Sequence, residues 1–188
     1  MVAKAEVRPL TPRQREGRAV NAVAQLLRRT LSVPNIYIDP PGSAIAADVL
    51  AVDHGGAGDL HAVEIKMVSE PWPAPKKWRR GSSVGPDPAA ASVKALRRQL
   101  MGMPAHYRYL AVSAEKLEFV AEGLADLGLF SDDGIGRLGL IKINEAGEGV
   151  PTAEIAIVPE RFRVDPAKLR AIETKILAKS RPDIEIRI

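Results

Sequence analysis

Apolar residues recur at helical spacing between residues 12 and 31. Val20, Val23, Ala24, Leu27 and Leu31 fall on one face of a 3.6-residue repeat. Thr11-Pro12 supplies an N-cap and then a proline in the first turn, where its missing N–H has no helical partner to lose. The pattern then shortens. Asn35–Asp39 reads as a strand stopped by Pro40-Pro41-Gly42, and Ile45–Val52 and Leu60–Val68 read as two more strands. His54-Gly-Gly-Ala-Gly58 between them reads as a hairpin loop. Residues 69–88 follow no period. They are proline-rich and carry Trp72, Trp78 and the run Lys76-Lys77-Trp78-Arg79-Arg80. Beyond them, Ala89–Met101 is a predicted helix with Val93, Leu96 and Leu100 on one face. Tyr107–Ser113 is a predicted strand, Glu115–Leu127 a helix, Arg137–Ile143 and Ala153–Val158 strands, and Pro166–Lys179 a helix. The tail Ile184–Ile188 alternates like an edge strand or a frayed end. The order α-β-β-β-α-β-α-β-β-α predicts the α/β class, with a mixed central sheet flanked by helices.

Length and composition narrow the function classes. A chain of 188 residues, 46% hydrophobic, is expected to form one domain. Its core is expected over about residues 12–160, with a C-terminal helix and tail at 161–188. The sequence contains no cysteine, which excludes disulfide frameworks, cysteine nucleophiles and thiolate zinc sites. His54, His61 and His106 do not have the spacing of a zinc hydrolase. No uncharged apolar run approaches the roughly 20 residues that span a bilayer. The first 18 residues lack the apolar core of a secretory signal. The expectation is a cytoplasmic protein without a membrane partner.

The net charge of +4 is unevenly spread. Residues 30–65 carry a net −5 and residues 66–114 a net +7. An acidic stretch followed directly by a basic one suggests a carboxylate cluster beside a surface for a polyanion. Solvated faces of alternating sign are the plainer explanation.

The acidic stretch has a specific geometry. If Asp53 pairs with Asp59 across the hairpin, Asp48 lies opposite Glu64 with Cβ atoms about 5 Å apart. Glu64 and Lys66, two apart in a strand, share that face with Leu60 and Ala62. Two facing carboxylates repel unless a cation lies between them. A hard divalent ion held by carboxylate oxygens and a backbone carbonyl would meet that need. An ion-pair network centred on Lys66 would also meet it. Glu16 precedes Val20, Val23 and Leu27 at helical steps, so it is expected on the sheet-facing side of the first helix. The alternative is a first-turn glutamate favoured by the helix dipole.

Glu16, Asp48 in Ala46-Ala-Asp-Val-Leu, and Glu64-Ile-Lys66 together resemble the PD-(D/E)xK, or restriction-endonuclease-like, nuclease superfamily. The layout is similar to its Holliday-junction-resolvase branch. A helical Glu comes first, then a Ser-bearing loop, here Pro41-Gly-Ser43, then the Asp and the E-x-K strand. The resemblance covers about residues 13–143, with Ala47 in place of the motif proline. It implies a restriction-endonuclease-like core and a metal-dependent deoxyribonuclease, endo- or exonucleolytic, in DNA repair, recombination or restriction. Asp48, Glu64 and the carbonyl of Ile65 would hold Mg²⁺ or Mn²⁺. Lys66 would position or activate water, and Glu16 would hold a second metal or its water. DNA is the implied partner, with a homodimer as a second candidate. Ser43, Lys76, Lys77, Arg79, Arg80, Lys94, Arg97 and Arg98 are the expected DNA contacts, and Arg108 extends the basic group. Lys94, Arg97 and Arg98 form one stripe on the predicted helix. The alternative is a nuclease-like fold kept as a non-catalytic DNA-binding or protein-interaction module.

Two literal motifs lack their structural setting. Gly81-Ser82-Ser83-Val84-Gly85 has neither the preceding strand nor the following helix of a nucleophile elbow. Gly134-Ile-Gly136-Arg-Leu-Gly139 leads into a strand, so it reads as a turn and not as a phosphate cradle. His61 falls on the strand face opposite Glu64 and is not enlisted.

Overall fold

The computed structural model describes residues 10–32, 34–40, 47–53, 58–67, 99–126, 137–145 and 149–179. Helix α1 runs Pro12–Thr30, with Thr11 as its cap. Thr11 Oγ1 accepts from the Gln14 N–H at 3.3 Å, and Gln14 Oε1 accepts from the Thr11 N–H at 2.9 Å. This reciprocal box satisfies two backbone donors that would otherwise be orphaned. Strands β1 (Pro34–Ile38), β2 (Val49–Asp53) and β3 (Asp59–Lys66) form an antiparallel meander. Residues 99–102 are helical and lead to β4 (Tyr107–Ser113). A 3₁₀ turn at Ala114–Lys116 opens α2 (Leu117–Asp126). Strands β5 (Gly139–Asn144) and β6 (Thr152–Ile157) and helix α3 (Pro166–Lys179) follow.

The sheet has six strands in the order β1-β2-β3-β4-β5-β6. β4 is parallel to both β3 and β5, and the other pairs are antiparallel. The expected mixed sheet of an α/β protein is therefore present. Asp53 pairs with Asp59, so the hairpin has the expected register. β2 begins later than its apolar run suggested: Val49 is its first residue, and Asp48 lies just outside it. β3 ends at Lys66, not at Val68.

Alternation along the strands divides the core into two layers. Val49, Ala51, Val63, Ile65, Tyr109, Ala111, Ile141 and Ile143 pack under α1, against Ala19, Ala22, Val23 and Leu27. Leu50, Leu60, Ala62, Leu110, Val112 and Leu140 face the other way. They meet Leu100 and Met103, Val120 and Leu124 of α2, and Ile172 and Ile176 of α3. Gly139 is required by this packing. A Cβ there would lie 2.7 Å from Tyr109 Cδ1 and 3.0 Å from Pro159 Cδ. The arginines of α1 tie its first turns to the carboxyl end of β5. Arg15 makes two 2.8 Å bonds to Glu145, and Arg18 donates to the Gly149 carbonyl.

Candidate active site

Along β3 the face packed against α2 and α3 reads Leu60, Ala62, Glu64, Lys66. Its apolar row ends in a carboxylate and an ammonium. Glu64 is 3% exposed. Its Oε1 is ion-paired with Lys66 Nζ, and the Lys66 side chain is 40% exposed. Gln99, from the helical segment before β4, donates a side-chain hydrogen bond to the same carboxylate.

Asp48 reaches this cluster by a route that strand pairing alone does not give. Its N–H donates to the Val63 carbonyl at 3.0 Å, and its carbonyl accepts from the Asp39 N–H at 2.9 Å. Asp39, at φ 46, bends the chain out of β1 at this level. Asp48 Oδ2 then accepts a 2.6 Å bond from the N–H of Ile65, the residue between Glu64 and Lys66. One Asp48 oxygen is thus fixed to the β3 backbone. N–H and C=O of one strand residue point to the same side, so the Ile65 carbonyl also emerges toward Asp48.

The electrostatics follow from this geometry. Burial raises the Glu64 carboxyl above the usual range; the Asp48 charge adds to the rise, and Lys66 and Gln99 oppose it. The two carboxylates are close enough to feel each other, as the expected register required. The donor set consists of oxygens: two carboxylates and a backbone carbonyl. That set suits a hard divalent cation, which commonly takes one or two carboxylates and completes its shell with water and substrate phosphate. Among the described residues, no group of three or more His, Asp or Glu side chains is placed to hold a metal. The fit therefore rests on two carboxylates plus Ile65.

No family model matches the chain, and no curated protein does. Among solved structures, the chain is similar to the SPO1766 protein of unknown function from Silicibacter pomeroyi, at 19% identity and a TM-score of 0.48. The match covers 91% of this chain and 87% of that one.

The structure brings Asp48, Glu64, Ile65 and Lys66 together and leaves Glu16 apart. Glu16 is exposed on α1, which covers the opposite face of the sheet. Its angular position does match Val23, but burial on α1 begins at Ala19, one turn after Glu16. Ser43, Lys76, Lys77, Arg79, Arg80, Lys94, Arg97 and Arg98 lie outside the described residues, as do Trp72, Trp78 and the Gly81–Gly85 motif.

Arg108 belongs to the basic group in sequence but not to the surface: it is 7% exposed. Its Nη1 donates to the Met101 carbonyl at 2.6 Å and its Nε to the Ala105 carbonyl at 3.2 Å. Its guanidinium lies 4.0 Å from the Phe162 ring centroid, and burial lowers its pKa to about 10. Arg108 thus caps the end of the segment that carries Gln99. Nothing in the sequence pattern singles out Gln99. Its only sequence signal is a polar residue beside Leu100 on the predicted helix.

His61 lies on the face opposite Glu64, as expected, and has a structural setting. Its Nδ1 is 3.2 Å from Tyr109 Oη, and its ring stacks on Tyr107 at 4.5 Å. His106 Nδ1 accepts from the Leu60 N–H at 3.0 Å. With that lone pair engaged, its 3.4 Å approach to Asp59 is not an ion pair. Asp59 is instead gripped by Arg161, through Nη2 at 2.8 Å and Nε at 3.2 Å. A cleft of about 150 Å³ between Ser113, Glu115, Asn144 and Glu145 lies at the ends of β4 and β5. Its two glutamates make it a poor seat for a phosphate.

Proposed function

We propose that the chain is a metal-dependent deoxyribonuclease with a restriction-endonuclease-like core, hydrolysing DNA phosphodiester bonds at Asp48, Glu64 and Lys66. The observation that carries this reading is the 2.6 Å bond from the Ile65 N–H to Asp48 Oδ2. It locks an aspartate from the neighbouring antiparallel segment against the Glu-x-Lys of a strand whose other neighbour is parallel. An ion-pair network would need only Lys66 and Glu64. Here a second carboxylate is anchored beside them by a backbone donor.

Asp48, Glu64 and the Ile65 carbonyl would hold Mg²⁺ or Mn²⁺. Such an ion supplies charge stabilisation at the scissile phosphate and a water acidic enough to attack near neutral pH. The residues then have separable tasks. The Ile65 N–H fixes the aspartate, Gln99 orients Glu64, and Lys66, on the exposed side, would turn from Glu64 to a phosphate or the attacking water. Water adds to phosphorus and gives up a proton to solvent, the bond to the leaving oxygen breaks, and that oxygen takes up a proton from solvent.

DNA as the partner is supported by the sequence between Met67 and Gln99. Both ends of this stretch are anchored at Glu64, one through Lys66 and the other through Gln99. It contains Lys76, Lys77, Arg79, Arg80, Lys94, Arg97 and Arg98. No helix among the described residues is long and apolar enough to cross a membrane.

The test is cleavage of branched, nicked and linear DNA with Mg²⁺ or Mn²⁺, comparing wild type with Asp48→Asn and Glu64→Gln. Cleavage lost in both folded variants supports the reading. Metal-dependent DNA binding without cleavage would point to the non-catalytic module.

A further inference from the structure

A bound cation and Lys66 would meet at the same carboxylate. Lys66 Nζ sits on Glu64 Oε1, where a bound cation would need an oxygen. Glu64 is enclosed, Asp48 adds a second negative charge, and Gln99 supplies a neutral hydrogen bond. Among the described residues, Lys66 is the cation paired with Glu64. Two cations cannot share one buried carboxylate edge without strong repulsion, because like charges a few ångströms apart interact strongly away from bulk water. The Lys66 side chain is 40% exposed, so its ammonium is not enclosed as the Glu64 carboxylate is. Glu64 and Asp48 are more constrained, since one is buried and the other is tied to the Ile65 N–H.

We infer that Lys66 is the resident counter-ion of the Asp48–Glu64 pair and competes with the divalent cation for it. Entry of the cation and departure of the lysine are then one event. The inference rests on the metal reading above. It adds that the ammonium is held away from substrate until the cation is in place. Reciprocity follows: by whatever factor Lys66 weakens the cation, the cation weakens the Lys66–Glu64 contact. Gln99 is neutral and does not compete, so it is the partner that keeps Glu64 oriented in both states.

The test is a calorimetric titration of the full chain with Mn²⁺, in wild type, Lys66→Met and Lys66→Arg. Lys66→Met removes the competitor and should bind at least about tenfold more tightly than wild type. Lys66→Arg retains the charge and should stay within about threefold of wild type. Wild-type binding that is unchanged or weakened in Lys66→Met would overturn the competition and leave the metal reading standing. Absence of Mn²⁺ binding in all three chains, with DNA present as well, would remove the metal reading and this inference with it. A second measurement uses wild type alone and does not depend on the variants folding. Its lysines are carbon-13 methylated and the chain is titrated with Mg²⁺. The Lys66 resonance should move with the binding midpoint. A Lys66 signal that stays still while Mg²⁺ binds would overturn the proposal.

Discussion

Asp48 Oδ2 accepts a 2.6 Å hydrogen bond from the N–H of Ile65, 17 residues later in the chain. The bond joins the approach to β2 to the end of β3 through a side chain, where regular strand pairing has stopped. It has both a structural and an electrostatic role, and the two can be separated by substitution.

Asp48→Ala removes the acceptor and leaves the Ile65 N–H without a partner. The expected cost is about 1–3 kcal/mol in denaturant unfolding of the metal-free protein. Asp48→Asn keeps an acceptor oxygen and removes the charge. It should remain within about 1 kcal/mol of wild type, because it also relieves repulsion with Glu64. The same variant should lose Mn²⁺ binding. Unfolding of Asp48→Asn as severe as that of Asp48→Ala would show that the charge itself holds the loop.

Glu64 should give the metal-free protein an unusual pH dependence. Its carboxyl is raised in the fold, chiefly by burial. Between the ordinary carboxylate range and that raised value, the native state holds more protons than the unfolded chain. Stability attributable to Glu64 therefore falls as pH rises through this window. Glu64→Gln should remove that component, so the difference in urea midpoint between variant and wild type should grow with pH. A difference that is flat from pH 4 to 8 would contradict the placement of Glu64.

His61 titrates with the opposite consequence. Burial lowers its pKa to about 4. Between about 4 and the ordinary value of about 6.5, the unfolded chain holds more protons. Stability attributable to His61 is fully present above about pH 6.5 and is lost as pH falls toward 4. The loss has an upper scale of about 3 kcal/mol. His61→Gln should flatten the acid limb of the stability curve, as read by thermal unfolding across pH 4–7.

Arg108 should behave as a structural residue. Arg108→Ala frees the Met101 and Ala105 carbonyls and removes the stack on Phe162, for an expected loss of about 2–4 kcal/mol. Lysine cannot reproduce two directed donors and a planar stack, so Arg108→Lys should also destabilise. Any DNA binding by folded Arg108→Lys should keep the wild-type salt slope, because a buried guanidinium releases no counterions. A reduced slope would return Arg108 to the interface.

The legible parts of this molecule are those set by local repeat. Helix α1, the Asp53–Asp59 register and the limits of β4 and α3 follow from periodicity, capping and loop length. Their hydrophobic faces leave little freedom, since a one-residue slip would turn every buried side chain outward. The misplaced residues depend on distances that periodicity does not encode. Glu16 lies at the angle of Val23 along the helix, but the sheet begins beneath Ala19. Asp48 shares a face with Glu64, yet it lies just before β2, bonded to the bend at Asp39. Arg108 reads as part of a charge run, because carbonyl acceptors such as Met101 leave no mark on composition. Gln99 acquires a task only through a residue 35 positions earlier.

The strand order has a consequence for synthesis. Each strand of the sheet lies beside its neighbours in sequence, from β1 to β6. A chain emerging from the ribosome can therefore add one strand at a time to an edge already formed, without threading between finished strands. The chain up to the end of β3 carries Asp48, Glu64 and Lys66, whereas Gln99 and α3 emerge later. On the nascent chain Asp48, Glu64 and Lys66 can therefore come together before Gln99 and α3 are available to cover them.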